Sequence, residues 1–297
     1  MVTSFHAQIS RILNIPAGQV ERTIGLLGEG ATIPFISRYR KEVTGGLDEV
    51  QIGNIKDQLD KLTELKKRKE SILSSIEEQG KLTPELKKRI EDSWDSTEIE
   101  DLYLPYKPKR VTKAEIARKK GLEPLAKVVM MQNERDLSAR VSAFVKGEVK
   151  NAEEALQGAR DIIAEWVNEN EEARNAVRNS FSHTAVITSK VVKGKEEEGA
   201  KYRDYFEFSE PLNRTSSHRL LALRGEAEGI LRISISPDTA GCLDRLKRRF
   251  VKGRGEASDQ VSTAVDDSFK RLLKPSIETE FAALSKERAD EEAIRVF

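Results

Sequence analysis

The residues with the clearest chemistry are cations grouped as if to meet phosphate. Lys107, Lys109, Arg110, Lys113, Arg118, Lys119 and Lys120 share a fourteen-residue stretch with a single acid, Glu115, for a local charge of +6. Arg245, Lys247, Arg248 and Arg249 open a second stretch, Arg245 to Arg254, with six Lys/Arg and no acid. Cations at this density bind the nucleic-acid backbone by displacing its counterions. The competing reading is a packed helical pair whose charges are matched within the protein. The acidic run Glu91 to Asp101, net −6, is the nearest match in sequence. Lys120 and Lys127 also fall where a DNA-reading motif has apolar core positions.

Other chemistry has little support. His6, His183 and His218 are far apart and lack the paired Cys or acid spacing of a metal site. Cys242 has no evident base beside it and reads as a small buried residue. Gly253-x-Gly255 lacks the third glycine of a dinucleotide fingerprint, and no Gly-Lys-Ser/Thr follows Gly28 and Gly30. The expectation is a protein that is not an enzyme, with no catalytic residue, metal, cofactor or small-molecule ligand.

The elements that must carry the cations are helical. Thr112 and Glu115 have the spacing of a capping box. The helix they start stops at Gly121, suited to the left-handed turn after a helix. Pro124 opens the next helix, with Leu125, Val128 and Val129 on its apolar face. Residues 112–131 thus have helix-turn-helix proportions, with small Ala117 allowing close approach of the two helices. Earlier, Pro34 starts a short helix with Phe35 and Ile36 expected inside and Arg38, Arg40 and Lys41 outside.

Asp48 and Gln51 cap a helix of about thirty residues, with Ile52, Ile55, Leu59, Leu62, Leu65, Ile72 and Ile76 at helical spacing. Its run Lys66 to Lys69 reads as a solvated face. Asn151 and Glu154 cap another long helix, expected from Ala152 to about Phe181. Beyond it, β-branched and alternating stretches at Val186–Val192, Asp204–Phe208 and Ile230–Ile235 predict short strands.

At 297 residues the chain has room for about two domains. The patterning places one at 1–150, with the helix-turn-helix-like motif, and one at 151–297, helical with short strands. The fold class is mainly α: a multihelical array with a long central helix and helix-turn-helix-like units, and few strands, in the C-terminal third. With net charge +1, any basic binding surface must be local. One cysteine excludes an internal disulfide. No apolar run has the length of a membrane span, and MVTSFHAQISRIL lacks signal-peptide features; a cytoplasmic location is expected. The last helix reaches Val296-Phe297 without a stop signal, which predicts continuation into a further domain.

Four segments together resemble the Tex family of bacterial transcription accessory proteins in their N-terminal part. They are IPFISRYRKEVTGGLDE (33–49), EDLYLPYKPKRVTKAEIARKKGLEPLA (100–126), GKEEEGAKYRDYFEFSEPL (194–212) and SHRLLALRGEAEGIL (217–231). The resemblance implies a multihelical assembly around a long helix. In the family an RNase H/resolvase-like domain, a helix-hairpin-helix domain and an OB-fold RNA-binding domain follow, none of them within this sequence. It further implies weak RNA or DNA binding in transcription. The alternative is a helical scaffold that positions the later domains and contacts the transcription machinery.

Overall fold

Sixteen helices and three short strands make up the described residues, a mainly α architecture as expected. The computed structural model describes residues 5–108 and 111–296. The chain forms two compact units, 1–108 and 109–297. The break falls at Pro108 rather than near residue 150, because the helix-turn-helix-like segment shares its core with the helices that follow it.

In the first unit, α1 (Phe5–Leu13), α2 (Ala17–Gly28), α3 (Ile33–Tyr39) and α4 (Lys41–Thr44) precede α5 (Glu49–Glu78), and α6 (Pro84–Asp92) and α7 (Ser96–Tyr103) follow it. α5 runs unbroken for 30 residues. Asp48 accepts from the Gln51 N–H at 2.7 Å and Gln51 returns an acceptor to the Asp48 N–H at 3.1 Å, a complete capping box. The helix serves two cores. Ile52, Ile55 and Leu62 pack with Ile9, Val20 and Ile36, while Ile72 and Ile76 pack with Ile90, Ile99 and Leu102.

The Lys66–Lys69 run is only half solvated. Arg68 grips Glu100 with two hydrogen bonds, at 2.6 and 3.0 Å, and lies over the Tyr103 ring. Lys69 is buried, donates to the Glu91 carbonyl at 2.8 Å and sits over Trp94; burial lowers its pKa. The acidic run Glu91–Asp101 is thus engaged inside this unit. Phe35 corrects another expectation: Ile36 is the buried side chain of α3, and Phe35 is exposed.

The second unit contains α8 (Lys113–Lys119), α9 (Glu123–Met131), α10 (Leu137–Ser142), α11 (Ala152–Glu169) and α12 (Glu171–Thr184). Strands β1 (Val186–Val191), β2 (Glu207–Pro211) and β3 (Leu231–Ser236) form an antiparallel sheet in the order β2-β1-β3, with α13 (Ser217–Ala222) between the last two in sequence. Then come α14 (Thr239–Phe250), α15 (Glu256–Ser268), a π-helical turn at Phe269–Leu273 and α16 (Lys274–Val296).

The helix expected from Ala152 to Phe181 is two. Asn170 leaves helical geometry at ψ 116° and caps α12 by accepting from the Ala173 N–H at 2.9 Å. α11 is the centre of the unit, fully burying Ala155, Ala159, Ile162, Ile163, Ala164 and Val167. Gly158 lets the preceding pair approach: a Cβ there would run into the Leu122 side chain and come within 3.2 Å of the Ala117 Cβ. Ala117 therefore serves the contact of α8 with α11.

Gly121 has φ +75°, the left-handed turn expected of it. Nothing lies within 4 Å of a Cβ added there, so the penalty for a side chain is backbone strain alone. Gly121→Val should destabilise the second unit by about 1–2 kcal/mol. A thermal melt unchanged by this substitution would contradict the assignment.

Candidate nucleic-acid interface

Thr112 supplies its half of the expected cap, accepting from the Glu115 N–H at 3.1 Å. The Glu115 carboxylate lies 3.9 Å from the Lys119 ammonium. Thr112 also donates to Glu165 of α11 at 3.2 Å. α8 is therefore laid onto α11, with Ala114 and Ala117 buried and the longer side chains at the margin.

Those margins meet carboxylates. Arg118 donates to Glu165 at 2.6 Å, and its Nε is 3.9 Å from Glu123. Lys120 donates to Glu154 at 2.6 Å. That bond holds the Glu154 carboxyl below its ordinary range, helped by the Lys150 N–H, and raises the Lys120 pKa. Asp161 lies between Glu154 and Glu165 on the same face. Burial pushes its carboxyl up, opposed by Arg271 and Lys113. Glu154, Asp161 and Glu165 thus form an acidic stripe, at helical spacing, under α8 and Lys120. Their spacing was the available signal, but they sit in a helix whose inner face is otherwise apolar, which hides them.

Of the other residues in the first segment, Lys107 belongs to the first unit and is exposed. Lys113 and Lys119 are exposed on α8. Lys109 and Arg110 lie outside the described residues. On α9 the outward side chains include Glu123 and Lys127, 3.4 Å apart, while Leu125, Ala126 and Val129 are buried. A helix facing inward with its apolar side and outward with an ion pair has few side chains left for base edges.

The second segment follows the same pattern. Arg245 donates to the Ser180 hydroxyl at 2.7 Å and to the Gly241 carbonyl at 3.2 Å. Lys247 meets Asp266 and Arg248 meets Asp244, at 2.8 and 2.7 Å. Arg249 pairs with Glu172. Gln132 anchors the end of α14, donating to the Phe250 carbonyl at 2.7 Å and accepting from the Lys252 N–H at 2.8 Å. The two basic segments do not merge into one surface through any of these bonds; each is tied to its own acids.

Cys242 is buried beside Ser180, and burial pushes its thiol up. Among the described residues, no group of three or more His, Cys, Asp or Glu is placed to hold a metal ion. No helix among them is long and apolar enough to cross a membrane.

Residues 132–297 match the Tex central region-like family, and residues 3–77 match the Tex-like protein N-terminal domain. The chain is 41% identical over 296 residues to the transcriptional accessory protein Tex of Neisseria gonorrhoeae, covering 97% of this chain and 39% of that protein. It is 40% identical to protein tex of Bordetella pertussis, covering 98% and 39%. More distantly, it is 27% identical to human S1 RNA-binding domain-containing protein 1, covering 97% and 31%. The chain spans about two fifths of the length of its bacterial relatives. With more than half of its residues in the central-region match and the fold described above, the chain belongs to the Tex family.

Proposed function

We propose that this chain is a nucleic-acid-binding N-terminal module of a transcription accessory protein, making weak, sequence-independent contact with phosphates. The observation that carries this reading is the exposure of cations with weak partners. The Lys119 and Arg248 side chains are 66% and 78% exposed, and their carboxylates lie four residues away on the same helix. Exposed pairs of that kind contribute only about 0.3–0.5 kcal/mol, so a phosphate displaces them readily. Arg118 and Lys120 hold stronger partners and are withdrawn from phosphate.

The ion pairs of the basic segments with Glu154, Glu165, Asp266 and Glu172 favour the second reading, a helical scaffold that positions other domains and contacts the transcription machinery.

Titration of labelled single- and double-stranded RNA and DNA across salt separates the two. Seven cations with four touching phosphates would give a log–log slope near about −3.6 on duplex DNA. With Arg118 and Lys120 withdrawn, roughly two or three contacts remain, and the slope should lie near about −2 to −3. The variant Lys113→Ala/Lys119→Ala should flatten it without changing the melt. Absence of binding by the parent at low salt would leave the scaffold reading.

A further inference from the structure

The first unit carries a surface of a different character: cations without a paired carboxylate, beside two adjacent aromatic rings. α3 turns Ile36 and Ser37 into the core, and Ser37 closes on the Pro34 carbonyl at 3.0 Å. Helical geometry then directs Phe35 and Tyr39, four residues apart, outward together. They are 41% and 66% exposed, with ring centroids 5.5 Å apart and planes at 43°. The Arg40 guanidinium lies over the Phe35 ring, 5.6 Å from its centroid. Arg38 and Lys41, on either side of Tyr39 and Arg40 in sequence, are exposed.

Single exposed apolar side chains need no explanation, but two adjoining exposed rings on one short helix form a patch. The charges around it decide its partner. Among the described residues no carboxylate pairs with Arg38, Arg40 or Lys41, whereas Arg118 and Lys120 of the second unit are matched within 2.6 Å. Between Ile33 and Leu47 the one acid is Glu42. Rings that offer faces, beside cations that lack counter-charges, match a chain of bases and phosphates.

We propose that Phe35, Arg38, Tyr39, Arg40 and Lys41 form a binding platform for single-stranded nucleic acid. Tyr39 stacks on a base, Phe35 with its guanidinium cover extends the stack, and Arg38 and Lys41 hold the flanking phosphates. A duplex keeps its bases stacked on one another, so it offers the cations a backbone but the rings nothing. The platform rests on the nucleic-acid reading but is independent of the basic segments in the second unit.

The test is fluorescence anisotropy of the whole chain with a labelled single-stranded RNA or DNA of about twelve nucleotides, against the same sequence as a duplex. Tyr39→Ala should weaken single-strand binding by about 5- to 100-fold, from the loss of one base–aromatic stack, and leave duplex binding unchanged. Tyr39→Trp should restore it. The rings are exposed, so the melt of each variant should match the parent. Arg38→Ala/Lys41→Ala should reduce the salt slope by about 1–2. Equal single-strand affinity for Tyr39→Ala and parent overturns the platform; if Lys113→Ala/Lys119→Ala then weakens binding, the nucleic-acid reading stands. No binding of any oligonucleotide by the parent overturns both. Binding of a poly-glutamate peptide in place of oligonucleotide, with the same dependence on Tyr39, overturns the platform in favour of an acidic protein partner.

Discussion

Phe269→Ala should cost the second unit about 3–5 kcal/mol, the range of a fully buried ring truncated in a packed core. Phe269 is fully buried at the first residue of the π-helical turn that joins α15 to α16. The residue before it, Ser268, donates to the Ala164 carbonyl of α11 at 2.7 Å, which pins the joint to the central helix. With the backbone held there, neighbours have little freedom to collapse into the space left by the ring, and the cavity term stays near its full size. Unfolding is followed conveniently by fluorescence, since the two tryptophans, Trp94 and Trp166, fall one in each unit. In a Trp94→Phe background, Trp166 reports the second unit alone. The expected fall in Tm is on the order of 10 °C. Met131→Ala, at a side chain 66% exposed, should stay within about 0.5 kcal/mol. A loss below about 1 kcal/mol for Phe269→Ala would show that the joint relaxes and that α11 does not hold it.

Features set by neighbouring residues could be read from the sequence. The Asp48 cap, the Thr112 cap, the left-handed Gly121 and the thirty-residue α5 depend on contacts within a few positions, and each is present. The sheet was visible as β-branched and alternating stretches, although Ala200–Tyr205 forms a 3-10 turn and β2 begins only at Glu207. What escaped was set by distant partners. Lys69 is buried because the Glu91 carbonyl and Trp94 fold over it. Arg118 and Lys120 are neutralised by Glu165 and Glu154, 47 and 34 residues away, and not by the acidic run nearest in sequence. Asn170 splits the long helix because its side chain competes for the Ala173 N–H, a local signal outweighed by unbroken apolar periodicity on both sides. Phe35 was expected inside on hydrophobicity alone; Ile36 beside it fills the core and leaves the ring outside.

Glu165→Ala is the second large effect, expected at about 2–4 kcal/mol. The Glu165 side chain is 9% exposed and accepts from both Arg118 and Thr112, so it ties the two ends of α8 to α11. Truncation leaves a half-buried guanidinium with Glu123, 3.9 Å from its Nε, as a substitute, and leaves the Thr112 hydroxyl without this acceptor. Stranding one member of a fully buried pair costs about 3–5 kcal/mol, and the 24% exposure of Arg118 lowers that figure. Glu165→Gln keeps an acceptor and loses the charge, and should cost less. Arg118→Ala takes the guanidinium from a carboxylate that keeps the Thr112 hydroxyl, and the double variant should recover part of the loss. The cycle should give a coupling of about 1 kcal/mol or more. On the proposed phosphate-binding reading, coupling and binding are linked: whatever holds Arg118 on Glu165 keeps it from phosphate. Glu165→Gln should therefore steepen the salt slope of nucleic-acid binding by about one contact, while destabilising the fold. A coupling below about 0.5 kcal/mol, with the slope unchanged, would mean that the pair neither secures α8 nor restrains its charge.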